Sequence, residues 1–181
     1  MKRVLRLNEQ DFSKLIQKII DMSLGLNDDK DGSSSDLKKL DDKVPSKTTS
    51  DDEFYKKILQ CIDAKPTKSN MLFMYAWRQS EGATADYNPF NTTKDMPGAT
   101  RYNSVGVKNY KSIEDGVNAT CETLKLGYYT DIVNGLKDDV GLYKLSRMEG
   151  LKKWGTGSLL AKVVDGYLAG ASPKPKPIDI A

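Results

Sequence analysis

The sequence predicts a mainly α domain interrupted by one long polar insert, preceded by a separate N-terminal amphipathic helix and a linker. Three observations predict it. Apolar residues recur at three- and four-residue spacings between residues 54 and 77, and again from 113 to 167. Capping and stop residues stand at the ends of these stretches. Between them, residues 83–110 lose the helical period and are rich in Asn, Thr, Gly, Pro and Tyr. A stretch of that length inside a compact domain is uncommon and usually functional.

The elements follow in chain order. Residues 8–23 read as a helix: Asn8 suits the N-cap, Glu9 and Asp11 the first turn, and Phe12, Leu15, Ile16, Ile19 and Ile20 form one apolar face. Too short to be stable alone in water, it must dock on something. Residues 1–24 are therefore assigned as a docking helix. Residues 25–50 read as a flexible linker. The run Asp28-Asp29-Lys30-Asp31-Gly32-Ser33-Ser34-Ser35-Asp36 and its few apolar neighbours cannot bury enough surface to offset their ordering entropy. A calcium loop fails there, because Lys39 stands where the twelfth position needs Glu.

The main domain spans residues 51–170. Ser50 caps a helix with Asp51, Asp52 and Glu53 in its first turn and Phe54, Ile58, Leu59 and Ile62 as its stripe; Pro66 breaks it. Ser69 opens a second helix through Met71, Leu72, Met74, Tyr75 and Trp77. It ends near Glu81-Gly82, with Gly82 placed for a left-handed stop. The insert is a long loop or a small irregular hairpin. Ser112-Ile113-Glu114-Asp115 is a capping box that opens a third helix, with Ile113, Val117, Cys121 and Leu124 on its apolar face. Shorter helical patterns run through Tyr129, Ile132, Val133 and Leu136, through Leu142, Leu145 and Met148, and through Leu159, Leu160, Val163, Val164 and Tyr167. Residues 171–181 form an extended, proline-rich tail.

Composition removes whole classes of chemistry. The chain contains no histidine. That excludes Ser-His-Asp and Cys-His catalysis and zinc held by imidazole, and two cysteines exclude a Cys₄ site. No metal and no cofactor are expected, and carboxylate chemistry leads among enzymatic readings. Twenty-eight Lys and Arg against 25 Asp and Glu leave a net charge of only +3, which argues for no nucleic-acid partner. No apolar run reaches membrane-span length. Lys2, Arg3 and Arg6 begin like a signal peptide, but Glu9, Asp11, Lys14 and Lys18 interrupt the hydrophobic region, so none is expected. Cys61 and Cys121 each fall on an apolar helical face and read as small buried thiols; a disulfide would need an oxidising compartment.

Glu81 is the residue with chemical potential. A carboxylate in a last helical turn faces the negative end of the helix dipole, which disfavours its ionised form. Desolvation by Trp77, Tyr75 or Phe73 would act in the same direction. A carboxyl group kept protonated near neutral pH can donate a proton to a leaving oxygen, as glycoside cleavage requires. The insert supplies the matching recognition chemistry. Asn88-Pro89-Phe90-Asn91-Thr92-Thr93 and Tyr102-Asn103-Ser104-Val105-Gly106-Val107-Lys108-Asn109-Tyr110 bring amides, hydroxyls and aromatic rings together, groups suited to sugar hydroxyls, acetamido groups and pyranose faces. The same residues also suit a polar loop whose tyrosines simply pack.

The run Trp77…Glu81-Gly82…Asn88-Pro89-Phe90-Asn91-Thr92-Thr93…Gly98-Ala99-Thr100…Tyr102-Asn103-Ser104…Gly106-Val107-Lys108-Asn109-Tyr110…Gly116-Val117…Ala119-Thr120…Thr123-Leu124…Tyr129 resembles the lysozyme-like modules of bacteriophage endolysins, virion proteins and some bacterial cell-wall proteins. More loosely it is similar to lytic transglycosylases and glucosaminidases, through an acidic Glu at a helix end and a Tyr-x-Ser-x-x-x-Gly element, here Tyr110 to Gly116. The resemblance covers about residues 70–135. It implies an α+β lysozyme-like fold that cleaves peptidoglycan at the glycan β-1,4 bond, with Glu81 as general acid. It also implies Asn91, Thr93, Tyr102, Asn103 and Tyr110 as substrate-binding residues. Asp86 and Asp95 are candidates for a second carboxylate, with Asp95 favoured; Asp115 is explained by the helix cap.

Arg3-Val4-Leu5-Arg6-Leu7-Asn8-Glu9-Gln10-Asp11-Phe12 resembles short leaders on proteins of large tailed phages, which implies a virion protein as partner of the N-terminal helix. The implied location is the phage virion, or the host cytoplasm before lysis, with action on the cell wall at infection or at lysis. Three readings stay open: a muramidase or lytic transglycosylase, a non-catalytic glycan-binding module on the same fold, and a structural virion protein.

Overall fold

A computed structural model describes residues 50–171 of the chain. The predicted N-terminal helix, the linker that follows it and the tail beyond residue 171 lie outside the described residues. The described part is mainly helical, with one two-stranded hairpin. Among the described residues no helix is long and apolar enough to cross a membrane.

Helix α1 (Ser50–Cys61) begins at the expected serine and carries Asp51, Asp52 and Glu53 in its first turn. Its stripe of Phe54, Ile58 and Leu59 is fully buried. Helix α2 (Lys68–Glu81) is the central element. Every residue from Asn70 to Arg78 is buried, so the helix has no solvent face over most of its length. The cap is Thr67 rather than the expected Ser69: its Oγ1 accepts from the Asn70 amide at 3.2 Å. Pro66 fixes the extended entry and the next residue takes the cap. Asn70 then ties α2 outward, its Nδ2 donating to the carbonyls of Lys65 and Leu136 at 2.8 Å each. Tyr75 donates its hydroxyl to Asp52, linking α2 to the start of α1. Gly82 closes α2 in the left-handed conformation (φ 56°) with its amide on the Arg78 carbonyl, as the sequence predicts.

The insert resolves into the hairpin alternative. Strands β1 (Thr100–Arg101) and β2 (Lys108–Asn109) pair antiparallel, Thr100 opposite Asn109 and Arg101 opposite Lys108. The rest is irregular chain, and Asn88, fully buried, organises it. Asn88 Nδ2 donates to the carbonyls of Thr92 (2.8 Å) and Lys108 (2.7 Å), while its Oδ1 accepts from the Thr92 amide (2.9 Å) and hydroxyl (3.1 Å). One side chain thereby satisfies backbone groups that would otherwise be stranded in the interior.

Helix α3 (Ile113–Leu124) starts at Ser112, whose Oγ accepts from the Asp115 amide at 3.1 Å. A 3₁₀ turn (Gly127–Tyr129) leads into α4 (Thr130–Lys137), then α5 (Leu142–Leu145), α6 (Glu149–Trp154) and α7 (Gly157–Leu168). Helix α7 packs on α2, and α3 on α1. The expectation of two buried thiols is corrected: Cys61 and Cys121 form a disulfide between α1 and α3, with Cα atoms 6.3 Å apart. Packing α3 on α1 faces the two cysteine-bearing stripes toward each other, at a separation a disulfide spans.

Candidate active site

Glu81 occupies the last residue of α2, where the helix meets the insert. Its Oε1 accepts from the Trp77 indole Nε1 at 3.1 Å, one helical turn back. Its Oε2 accepts from Asn91 Nδ2 at 3.1 Å, and the same amide reaches the Glu81 carbonyl at 3.2 Å. Asn91 holds a left-handed backbone (φ 53°), a conformation Asn adopts more readily than most side chains. Thr156, in the short link between α6 and α7, also hydrogen-bonds the carboxyl group, and its hydroxyl meets Ser80 Oγ at 2.8 Å. Arg78, buried, donates to the Ala83 carbonyl at 2.7 Å and so pins the chain just past Glu81.

These surroundings pull the carboxyl group in opposite directions. Burial raises its pKa; the hydrogen bonds of Asn91, Trp77 and Thr156 and the Arg78 charge lower it. Burial prevails, and the pKa is pushed up to about 7. Of the three aromatic residues expected to desolvate it, Trp77 is the one that touches the carboxyl group. Phe73 packs on Trp77, and Tyr75 turns to Asp52.

The wall behind Glu81 is aromatic. Trp77 packs edge-on against Trp154 (centroids 4.7 Å) and at a tilt against Phe90 (5.1 Å), and Trp154 Nε1 donates to the Phe90 carbonyl at 3.1 Å. Tyr129 lies 4.9 Å from Trp154, and its own pKa is raised by burial, then by Tyr128 and by the charge of Glu81.

The other sequence candidates fall in different places. Thr93 is exposed on the insert. Tyr102 is 44% exposed, with its hydroxyl 2.5 Å from Thr84 Oγ1. Asn103 shapes the hairpin loop: its Oδ1 accepts from the Val107 amide at 3.1 Å. Tyr110 differs from the expectation of a cleft-lining residue. It is buried, and its hydroxyl is taken by Thr92 and by the Lys94 carbonyl, both at 2.8 Å. It follows β2 directly, where its amide on the Asp86 carbonyl ties the end of the insert back to its start. Asp95 has a side chain 85% exposed and ion-paired with Lys108 at 2.5 Å, so it is not among the groups gathered on Glu81. Asp86 joins the insert through its backbone, its amide on Asn109 Oδ1 and its carbonyl accepting from Tyr110 N, each at 3.0 Å.

Sequence reasoning did not single out Trp154 or Thr156, and it named Tyr129 in a helical pattern and at the end of the resemblance run without giving it a role at the site. The available signal was their position: Tyr129 and Trp154 each abut a glycine-bearing junction, and Thr156 stands between Gly155 and Gly157. A recess of about 560 Å³ lined by Arg147, Met148, Lys152, Gly155 and Gly157 excludes Glu81 and presents no acid. Among the described residues no group of three or more Cys, Asp or Glu is placed to hold a metal ion. Comparison of the chain with protein-family models, with curated proteins and with solved structures finds no match in any of the three.

Proposed function

We propose that this domain is a lysozyme-like glycosidase that cuts the glycan strand of peptidoglycan, with Glu81 as its general acid. One observation carries the reading: a carboxyl group with a pKa near 7, set against indole rings and held by amide and hydroxyl donors. Near neutral pH a large share of it is protonated, as transfer to a glycosidic oxygen requires.

In this reading Glu81 protonates the bridging oxygen as the C1–O bond breaks, and an oxocarbenium-like centre develops at C1. Among the described residues, the causes that set the Glu81 pKa are burial and the groups of Asn91, Trp77, Arg78 and Thr156, with no carboxylate among them. That composition favours a mechanism with one protein acid. The capturing group is then water or the C6 hydroxyl of the same sugar, and it returns its proton to the Glu81 carboxylate. Water gives a reducing end, and the C6 hydroxyl gives an anhydro-sugar. Asn91 and Trp77, by donating to both carboxylate oxygens, stabilise the anion left after proton transfer.

The lone acid also suits a second reading, a non-catalytic glycan-binding module on the same fold. Incubation of purified peptidoglycan with the wild-type chain and with Glu81→Gln separates the two. The catalytic reading expects reducing ends or anhydro-sugars from the wild type alone, with wall binding kept by the variant. Binding by both proteins with no product from either would establish the second reading. A phage origin and a virion partner for the N-terminal helix are part of the proposal, and a pull-down with residues 1–24 fused to a carrier tests the latter.

A further inference from the structure

We propose that Tyr128 is a stacking platform at the edge of the Glu81 site, packing against a pyranose ring of the glycan strand beside the bond that is cut. The inference rests on the glycan reading above and deepens it.

Four rings form a continuous series that starts at the acid. Trp77 donates to Glu81; Trp154 lies 4.7 Å from Trp77, Tyr129 4.9 Å from Trp154, and Tyr128 4.5 Å from Tyr129. Trp77 is fully buried and Tyr129 7% exposed, whereas Tyr128 is 52% exposed. The series therefore runs from the interior beneath Glu81 to solvent and ends on an open aromatic face.

Single exposed tyrosines are ordinary, and exposure alone assigns nothing. Two further features distinguish this one. Its ring is already fixed: it sits in the 3₁₀ turn Gly127–Tyr129 and packs edge-on against Tyr129 at 68°. A pre-ordered ring loses little conformational entropy when a ligand covers it. The other exposed tyrosines are engaged differently: Tyr143 has the Arg147 guanidinium 3.6 Å from its ring centroid, and Tyr102 bonds Thr84. An aromatic body with a polar tip matches a sugar, which presents C–H groups on its ring face and hydroxyls at its edge.

The test uses the full chain with Tyr128→Ala, Tyr128→Phe and Tyr128→Trp, assayed on purified peptidoglycan and titrated with soluble N-acetylglucosamine oligosaccharides. Tyr128→Ala is expected to raise KM, and the dissociation constant for the oligosaccharide, by about three- to tenfold. Its kcat should stay within about twofold of wild type, since a platform that binds ground and transition states alike changes KM and not kcat. Phe and Trp should restore most of the loss and keep the wild-type thermal midpoint, while Tyr128→Ala should lower it by no more than about a few degrees, the contact with Tyr129 being all that it gives up. An active wild type with unchanged KM in Tyr128→Ala overturns the platform and leaves the glycosidase reading standing. A wild type that neither cleaves nor binds glycan overturns both.

Discussion

At Glu81 a single side chain sets protonation, stability and the proposed chemistry. Its pKa is about 7 in the fold against an ordinary 4.5, so the folded state binds the proton more tightly than the unfolded chain. Stability then falls as pH rises from 4.5 through 7, and the full cost, about 3 kcal/mol, is present above that window. Glu81→Gln removes the ionisation. Denaturant unfolding is expected to show the variant about as stable as wild type at pH 4 and more stable at pH 8, by an amount approaching that figure. The same variant should lose activity about 10²- to 10⁴-fold, the range a general acid supplies. Equal destabilisation at both pH values would mean the carboxyl group is not held neutral. For the wild type, kcat/KM should fall as pH rises, with a midpoint near pH 7, if the protonated form is the working one as proposed. Asn91 lowers this pKa through its hydrogen bond, so Asn91→Gly, which suits the left-handed backbone, should move the midpoint upward; an unmoved or lowered midpoint counts against the contact. Glu81 was legible because a helix stop and a preceding tryptophan mark it in one hexapeptide. Thr156 was not, because its place beside Ser80 depends on how α6 and α7 return to α2, a packing fact with no local signature.

Among the elements, the junction of insert and α3 explains the Tyr-x-Ser-x-x-x-Gly pattern without any substrate. Tyr110 closes the insert from inside, Ser112 caps α3, and Gly116 lets the insert backbone lie against the helix. A Cβ at Gly116 would stand 1.9 Å from the Tyr87 carbonyl oxygen and 3.2 Å from the Phe54 ring. The first obstacle is backbone, and it cannot rotate away. Gly116→Ala is therefore expected to destabilise the fold by about 1–3 kcal/mol, measured by denaturant unfolding. It should also lower activity, because Asn91 rides on the displaced segment. Stability equal to wild type would show that the insert can lift off α3 freely. The sequence marked where the insert lies and that it is polar. It did not reveal which of its polar side chains face inward, since Asn88 and Asn91 look alike in composition, yet one is a buried hub and the other reaches Glu81. The limits of α2 were legible to within two residues, Thr67 replacing Ser69 as its cap, whereas α5 stops at Leu145 short of the expected Met148 and α6 (Glu149–Trp154) was not expected.

For the whole molecule, the Cys61–Cys121 bridge encloses α2 and the entire insert in one covalent loop, with Glu81 and Asn91 inside it and Thr156 and Trp154 outside. Apolar periodicity placed both cysteines on buried faces, and that pattern fits a thiol or a disulfide equally. Only the packing of α3 on α1 decides, because it sets the Cα separation at 6.3 Å. Closing a loop with a sequence separation of 60 restricts the unfolded chain by about 4 kcal/mol in the chain-entropy account, a large part of the stability of a domain this size. The double variant Cys61→Ala with Cys121→Ala should lose about 2–4 kcal/mol, read from denaturant midpoints at fixed pH. Wild type treated with a thiol reductant should approach the same midpoint. Turnover per folded molecule at low temperature should change little, because the contacts that hold Glu81 run through Trp77, Asn91 and Thr156 and do not pass through the sulfurs. A double variant as stable as wild type, or a wild type indifferent to reductant, would mean that helix packing alone secures α1 on α3.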